Sequence, residues 1–418
     1  MKRAVIFIVL FLFYFVAKAQ VTLDYCQQKA WEHYPLIANF NLIERAKEYT
    51  IFNATRNYLP QLSLNARTTL QSEAVTLPIE IPGMTLPELK KDQYVVTLDL
   101  TQTIWDGGTI AAANKSVKAQ YEIDRNSIET NLYALRERIS GLFFGILLLD
   151  EQIILANLME EELNRNLKKV EACIQNGVAY KSDLNMVKVA ILNNKQKLEE
   201  LRVNRDAYCT ILSAFVGELI TKLDIPLELN NQIDFSSNLE HRPEIKLFDL
   251  QLKLFETNKK MLLAKNMPKI GLFAQGGYGR PGLNMLSNEF SFFAIGGVQL
   301  KWNFGSLYSF SNEKNQIFNA QQMIQTQKAT FVFNTNLQLS QQRADITRLQ
   351  KQLDLDDEII SLKTEIKKST EAKLEDGTAT VNDLMKDLTE ENIAKQNKLL
   401  RQIQLLMAVY NYNNMLNK

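Results

Sequence analysis

Apolar and polar positions alternate in two rhythms along this chain, and the rhythms separate long helices from short paired strands. Leu132, Leu135, Ile139, Leu142, Ile146, Leu149 and Ile153 recur at alternating three- and four-residue spacing. The register continues through Ala156, breaks at Glu160 and resumes at Leu163, Leu167, Val170 and Ile174. A second run carries Leu184, Val187, Ile191, Asn194, Leu198, Leu201, Arg205, Tyr208, Leu212 and Phe215. Sustained heptads of this kind bury their stripe when helices lie side by side, so they predict coiled-coil packing. A later tract, from Ser306 onward, is less regular and rich in Gln, Asn and Lys. A wet lumen or exterior suits it, and so does an ordinary solvated face.

The other rhythm has period two. Leu62, Leu64, Ala66, Thr68 and Leu70 alternate with Ser63, Asn65, Arg67, Thr69 and Gln71. Tyr94, Val96, Leu98 and Leu100 alternate with Val95, Thr97, Asp99 and Thr101. Each pattern predicts a strand with one apolar and one polar face, and a length of roughly ten residues suits a tilted membrane strand. The strands are expected near 61–71 and 94–105, with Pro78, Pro82, Gly83 and Pro87 in the loop between. A second pair, near 269–279 and 290–302, is rich in Gly and aromatics and alternates less cleanly. Trp105 and Trp302 close the second and fourth strands, where a membrane-interface aromatic belt would lie.

Proline fixes where helices can be long. None of the nine lies within 88–225 or 282–418, and proline inside a helix costs about 3 kcal/mol. At about 1.5 Å per residue, helices over 109–175 and 306–376 each reach roughly 100 Å. Those over 182–214, 243–265, 382–418 and 23–58 reach roughly a third to a half of that, so each long helix faces two shorter ones end to end.

The chain also repeats itself. Leu98, Leu100 and Gln102 align with Val298, Leu300 and Trp302 at an offset of 200, as do Gly177 with Gly377, Asp183 with Asp383 and Leu184 with Leu384. Tyr58-Leu59-Pro60-Gln61 aligns with Asn266-Met267-Pro268-Lys269 at 208, so the second strand–strand loop is expected to be shorter by eight. Two copies of helix–strand–strand–helix–helix follow, over 20–225 and 226–418, with helical-hairpin turns near 176–181 and 376–381. The segment 218–240, with Pro226, joins them.

The N-terminus adds a compartment. Lys2 and Arg3 precede an apolar run from Ala4 to Val16, and Ala17-Lys18-Ala19 forms a small-residue cleavage site. Residues 1–19 therefore read as a secretory signal peptide, cut before Gln20. No apolar stretch of spanning length is expected after Val16. Loss of Lys2, Arg3 and Lys18 leaves 45 basic against 47 acidic residues, so there is no basic surplus to attract nucleic acid. Cys26, Cys173 and Cys209 show no metal-ligand spacing, and a Cys173–Cys209 disulfide is opposed by roughly 50 Å of helix between them. With His33 and His241 as the only histidines, no catalytic constellation, metal site or cofactor is expected. Four strands cannot close a membrane barrel, since open edges are not tolerated in lipid. Three copies would supply twelve strands; strand arithmetic alone leaves four copies open.

Several motifs together resemble the TolC-like outer-membrane efflux proteins. They are Tyr58-Leu59-Pro60-Gln61-Leu62 entering the first strand and Leu100-Thr101-Gln102-Thr103-Ile104-Trp105-Asp106-Gly107-Gly108 leaving the second, with Arg242-Pro243-Glu244 and the paired G-x5-D-L turns. Lys301-Trp302-Asn303-Phe304-Gly305-Ser306 departs from the family's W-x-x-F-D-G-G pattern by lacking the Asp and one Gly. The resemblance implies a mainly helical subunit of two repeats, whose four strands complete a 12-stranded trimeric β-barrel in the outer membrane. That barrel would stand on a long periplasmic coiled-coil barrel. It further implies passive export, with a periplasmic adaptor, an inner-membrane transporter and outer-membrane lipids as partners.

The turns are the candidate site. Asn176, Gly177, Asp376 and Gly377 form the tips and are candidate adaptor contacts. The resemblance implies an acidic constriction at Asp383, with Asp183, Lys386 and Asp387 as further gate candidates; the family's second acidic position is Lys386 here. The family's Tyr and Arg lock positions match Leu374 and Ala379, which implies a gate held shut by apolar packing. A plainer reading is that Asp183 and Asp383 are helix-start residues behind the N-caps Ser182 and Asn382. A passive channel is the function read here; a periplasmic coiled-coil adaptor or structural protein without a pore is the alternative.

Overall fold

The computed structural model describes residues 21–74, 90–175, 177, 179–224, 238–285 and 287–417. The signal peptide, Pro78, Pro82, Gly83 and Pro87 of the first strand–strand loop, Pro226 and Asn176 lie outside the described residues. In chain order the elements are α1 (Leu23–His33), α2 (Ala38–Arg56), β1 (Gln61–Leu70), β2 (Asp92–Trp105), α3 (Thr109–Gln175) and α4 (Lys181–Val216). There follow α5 (Pro243–Lys265), β3 (Lys269–Arg280), β4 (Ser291–Lys301), α6 (Leu307–Glu375) and α7 (Val381–Leu416). The two long helices are uninterrupted, as the proline-free tracts predict. The helix expected over 23–58 is broken. Pro35 holds Tyr34 in an extended conformation and opens a 3-10 turn, Pro35–Ile37, between α1 and α2.

The chain divides into two compact units. The first comprises residues up to 38, 128–245 and 330 onward, and is helical. One core joins Leu23, Cys26 and Ala30 of α1 to Ile139, Phe143, Phe144 and Ile146 of α3, Leu212 and Val216 of α4, and Ile403 of α7. All three cysteines are free thiols; burial pushes that of Cys26 up to about 12. By length and composition alone α3 could cross a membrane, against the expectation that no such stretch follows Val16. Its Ile139, Phe143, Phe144, Ile146 and Leu147 belong to this core, so packing inside the unit accounts for its apolarity.

The heptad stripes are buried or half-buried except at exposed Tyr208, and their polar members have partners. Asn194 Nδ2 donates to the Ala156 carbonyl at 2.9 Å. Arg205 pairs with Asp150 and donates to the Thr221 carbonyl at 2.7 Å. Tyr208 lies against Gly145, where an added Cβ would stand 2.6 Å from the ring.

The second unit, 39–127 and 246–329, holds the sheet. Its strand order is β1-β2-β3-β4, antiparallel throughout, and among the described residues β1 and β4 each pair on one side only. At the exit from β2, buried Asp106 accepts from Gly108 N at 2.9 Å, Ile110 N at 2.6 Å and the Tyr58 hydroxyl at 3.1 Å. Gly107 and Gly108 turn there at φ 71° and 85°. The second half lacks this Asp. Asn303 Oδ1 accepts from Gly305 N at 3.1 Å instead, and a 3-10 turn, Phe304–Ser306, leads into α6.

Candidate functional site

Two regions bring the sequence-predicted residues together, the helical tips in one unit and the sheet faces in the other. At the tips the chain reverses through Gly177 and Gly377, at φ 76° and 73°. This left-handed backbone costs any L residue with a Cβ about 1–2 kcal/mol. After Gly377, the amides of Thr378 and Ala379 both donate to the Lys373 carbonyl, at 2.8 and 3.1 Å.

The helix starts differ from the expected caps. The cap of α7 is Thr380, and Asn382 lies inside the helix. Asp383 accepts from Thr380 N at 3.0 Å and from its hydroxyl at 2.6 Å, while Asp383 N donates back to Thr380 Oγ1 at 3.2 Å. This is a reciprocal capping box. The first tip has half of one. Tyr180 replaces the expected Ser182 as the cap of α4; Asp183 accepts from Tyr180 N at 2.8 Å, and the tyrosine side chain caps nothing. The reciprocal rule wins because the third helical residue can satisfy the amide preceding it only from this register. The Thr380 hydroxyl, then its amide, then the charge of Lys386 hold the exposed Asp383 carboxyl below the usual range.

Leu374 and Ala379, the positions matching the family's lock, do lie in an apolar cluster. It unites Leu163, Val170 and Ile174 of α3, Ala179, and Leu184, Val187 and Ile191 of α4 with Val381, Leu384, Met385 and Leu388 of α7. Asp387 is engaged elsewhere, accepting from the Thr370 hydroxyl at 2.7 Å. Lys386, Asp376 and Gly377 are exposed.

A buried charge network behind this cluster was not foreseen. Lys367 of α6, 8% exposed, contacts Glu162 of α3 at 2.5 Å and Glu391 of α7, 3% exposed, at 2.7 Å. Glu391 also meets Lys395 at 2.9 Å and accepts from the Thr364 hydroxyl at 2.7 Å. Burial pushes the Glu391 carboxyl up, but hydrogen bonds from Lys367, Lys395 and Thr364 outweigh it and bring it to about 2. The one signal in the sequence was the break of the apolar register at Glu160, two residues before Glu162.

On the sheet, pairing keeps odd residues opposite odd and even opposite even except at Trp105, so each face is continuous across all four strands. The even face carries Leu62, Leu64, Ala66 and Leu70, then Tyr94, Val96, Leu98 and Leu100, then Ile270, Leu272 and Ala274, then Phe292, Val298 and Leu300. The odd face of the first hairpin is polar. There Asp99 accepts from Asn65 at 2.6 Å, from Thr97 at 3.0 Å and from Gln275 of β3 at 2.5 Å. On the second hairpin, Phe293 lies over Gly277 and Phe273 over Gly297, so rings and glycines share the polar face and blur the alternation.

A register shift between Thr103 and Trp105 sets Trp105 opposite Ile270. This bulge turns Trp105 from the odd face to the apolar one. Trp302 directly follows the last residue of β4, with its indole N–H donating to the Asn266 carbonyl at 3.1 Å.

Residues 27–218 match the family model for outer membrane efflux proteins. Over those residues the chain is similar to the outer membrane efflux proteins, and its fold is that of the TolC-like channels. The fold carries through the second half as well. Among solved structures it is similar to CusC, at 12% identity and a TM-score of 0.71 over 95% of this chain and 92% of that one. It is similar also to VceC from Vibrio cholerae, at 15% and 0.67 over 94% of each chain. For the open state of the Neisseria gonorrhoeae channel MtrE the values are 15% and 0.67 over 94% and 88%. No curated protein matches. The matched family model and these solved structures are of outer-membrane efflux proteins and channels.

Proposed function

We propose that this TolC-like protein is the passive channel subunit of a tripartite export system, assembled as a trimer around a twelve-stranded barrel. The carrying observation is the sheet. It has one continuous, largely apolar face, strands of 10 to 14 residues, and two edges with no further partner strand among the described residues. Membrane strands must have every backbone group satisfied, so β1 of one subunit would pair with β4 of the next. On this reading the even face meets lipid, Trp105 and Trp302 lie at the interface nearer the helices, and the odd face lines the pore. The two halves are repeats, 20–225 and 226–418, and the exposed tips at Gly177 and Gly377 meet a periplasmic adaptor serving an inner-membrane pump. A pore-less coiled-coil adaptor would have no use for so long an apolar sheet face. Native mass measurement in detergent is expected to give a trimer, and bilayer reconstitution single-channel conductance. A monomer as the functional species, or a membrane fraction that conducts nothing, overturns the proposal.

The gate is placed at the second tip, where three copies of exposed Asp383 around the pore axis attract cations while Leu374 and Ala379 are held by apolar packing. Asp383→Ala is expected to lower cation selectivity and multivalent-cation block with the trimer intact. Unchanged selectivity would reduce Asp383 to its capping role.

A further inference from the structure

Lys269 opens β3, directly after α5, and Lys301 closes β4, directly before α6. The two are direct partners in the antiparallel ladder. Opposed side chains there have Cβ atoms about 4.5–5.5 Å apart, a spacing at which like charges repel. Both are exposed, and neither has a hydrogen bond or ion pair among the described residues. Glu313, the carboxylate beside the adjoining Lys265, is taken by Lys265 at 3.3 Å and Ser309 at 2.5 Å. The odd face on which both lysines lie is otherwise poor in negative charge. Its strand residues hold Arg67, Lys269 and Lys301 against the single carboxylate of Asp99. The oxygens of Asp99 are already committed to Asn65, Thr97 and Gln275. A solvated barrel rim would gain nothing from setting two lysines face to face where a Lys–Glu pair would be stabilising.

We infer that Lys269 and Lys301 form a cationic collar on the pore-lining face at the helix-side end of the barrel, selecting anionic solutes such as carboxylates, phosphates or sulfonates. The inference rests on the trimeric-channel reading. Three subunits would bring six lysines around one lumen, with three Arg67 on the same wall. A confined ring of one sign raises the local concentration of counter-charged solute and depletes the other. This collar is opposite in sign to the Asp383 ring and would favour solutes of the opposite charge.

The test uses the full chain in planar bilayers under a low-salt KCl gradient, comparing wild type with the Lys269→Gln/Lys301→Gln double variant. One unit charge about 8 Å from an ion in water changes its local concentration about twofold. The chloride-to-potassium permeability ratio is therefore expected to fall by about twofold or more in the variant, and tripolyphosphate block of the wild-type pore to weaken. The Lys269→Arg/Lys301→Arg variant should keep both. A conducting variant with the wild-type ratio and block overturns the collar alone and leaves the lysines to lipid headgroups or solvent. Wild type that forms no pore overturns the channel reading and the collar together. If the glutamine variant fails to assemble, absence of tripolyphosphate block in wild type is the overturning result.

Discussion

In the helical unit Lys367 lies buried between Glu162 and Glu391, and every charge there has a partner. On the sheet Lys269 faces Lys301, exposed and without a counter-ion. One chain thus treats the same side chain in two ways, according to what surrounds it. A buried ammonium without carboxylates would cost several kcal/mol, so burial enforces pairing. An exposed one is hydrated and costs little, so it is left to act on whatever passes. The buried network says which helices belong together: it joins Glu162 of α3 to Thr364 and Lys367 of α6 and to Glu391 and Lys395 of α7. The exposed pair says what the face is for.

The largest effect is expected where pairing is broken inside. Glu391→Ala should destabilise the helical unit by about 3 kcal/mol or more, because it leaves Lys367 buried beside a single carboxylate. Chemical denaturation monitored by circular dichroism checks this, and a cost within about 0.5 kcal/mol, the range of an ordinary surface change, would erase the contrast. The same carboxylate predicts a pH dependence. Its native value of about 2 lies below the ordinary 4.5, so its contribution is fully present above 4.5 and is lost as pH falls from there towards 2. The smallest effect is expected on the sheet, with the opposite sign. Lys301→Gln removes a like-charge opposition and should leave thermal stability unchanged or raised by a few tenths of a kcal/mol. A clear loss would mean that Lys301 has a stabilising partner in the assembled protein, and the contrast would narrow to one of degree.

Much of this was legible in the sequence because periodicity is local. Leu132 to Ile153 announce a seam whatever they face, and Leu62 to Leu70 announce a strand. Pro35 was legible too as a helix breaker, though the 23–58 helix was read through it. At the tips, Asp183 and Asp383 were visible as helix-start residues. The caps were misplaced by two residues, since Ser182 and Asn382 are good caps in isolation and only the back-bond from Asp fixes the register at 180 and 380. Lys367 could not be found, because its burial depends on Glu162 of α3, 205 residues away along the chain, as well as on α7. The direction of Trp105 was hidden for a different reason. Strict alternation puts it on the polar face, and only pairing with β3 reveals the extra residue.

That extra residue, Ile104, would by simple alternation be a frameshift in side-chain direction. Up to Thr103 the strand is read in twos; one added letter would swap inside for outside and make Trp105 an obstruction in the polar face, but the bulge keeps it an anchor on the apolar one. Removing Ile104 would close the bulge and leave Trp105 opposite Ile270 in an unbroken ladder, so the bulge is how the strand carries an added residue without turning its tryptophan around.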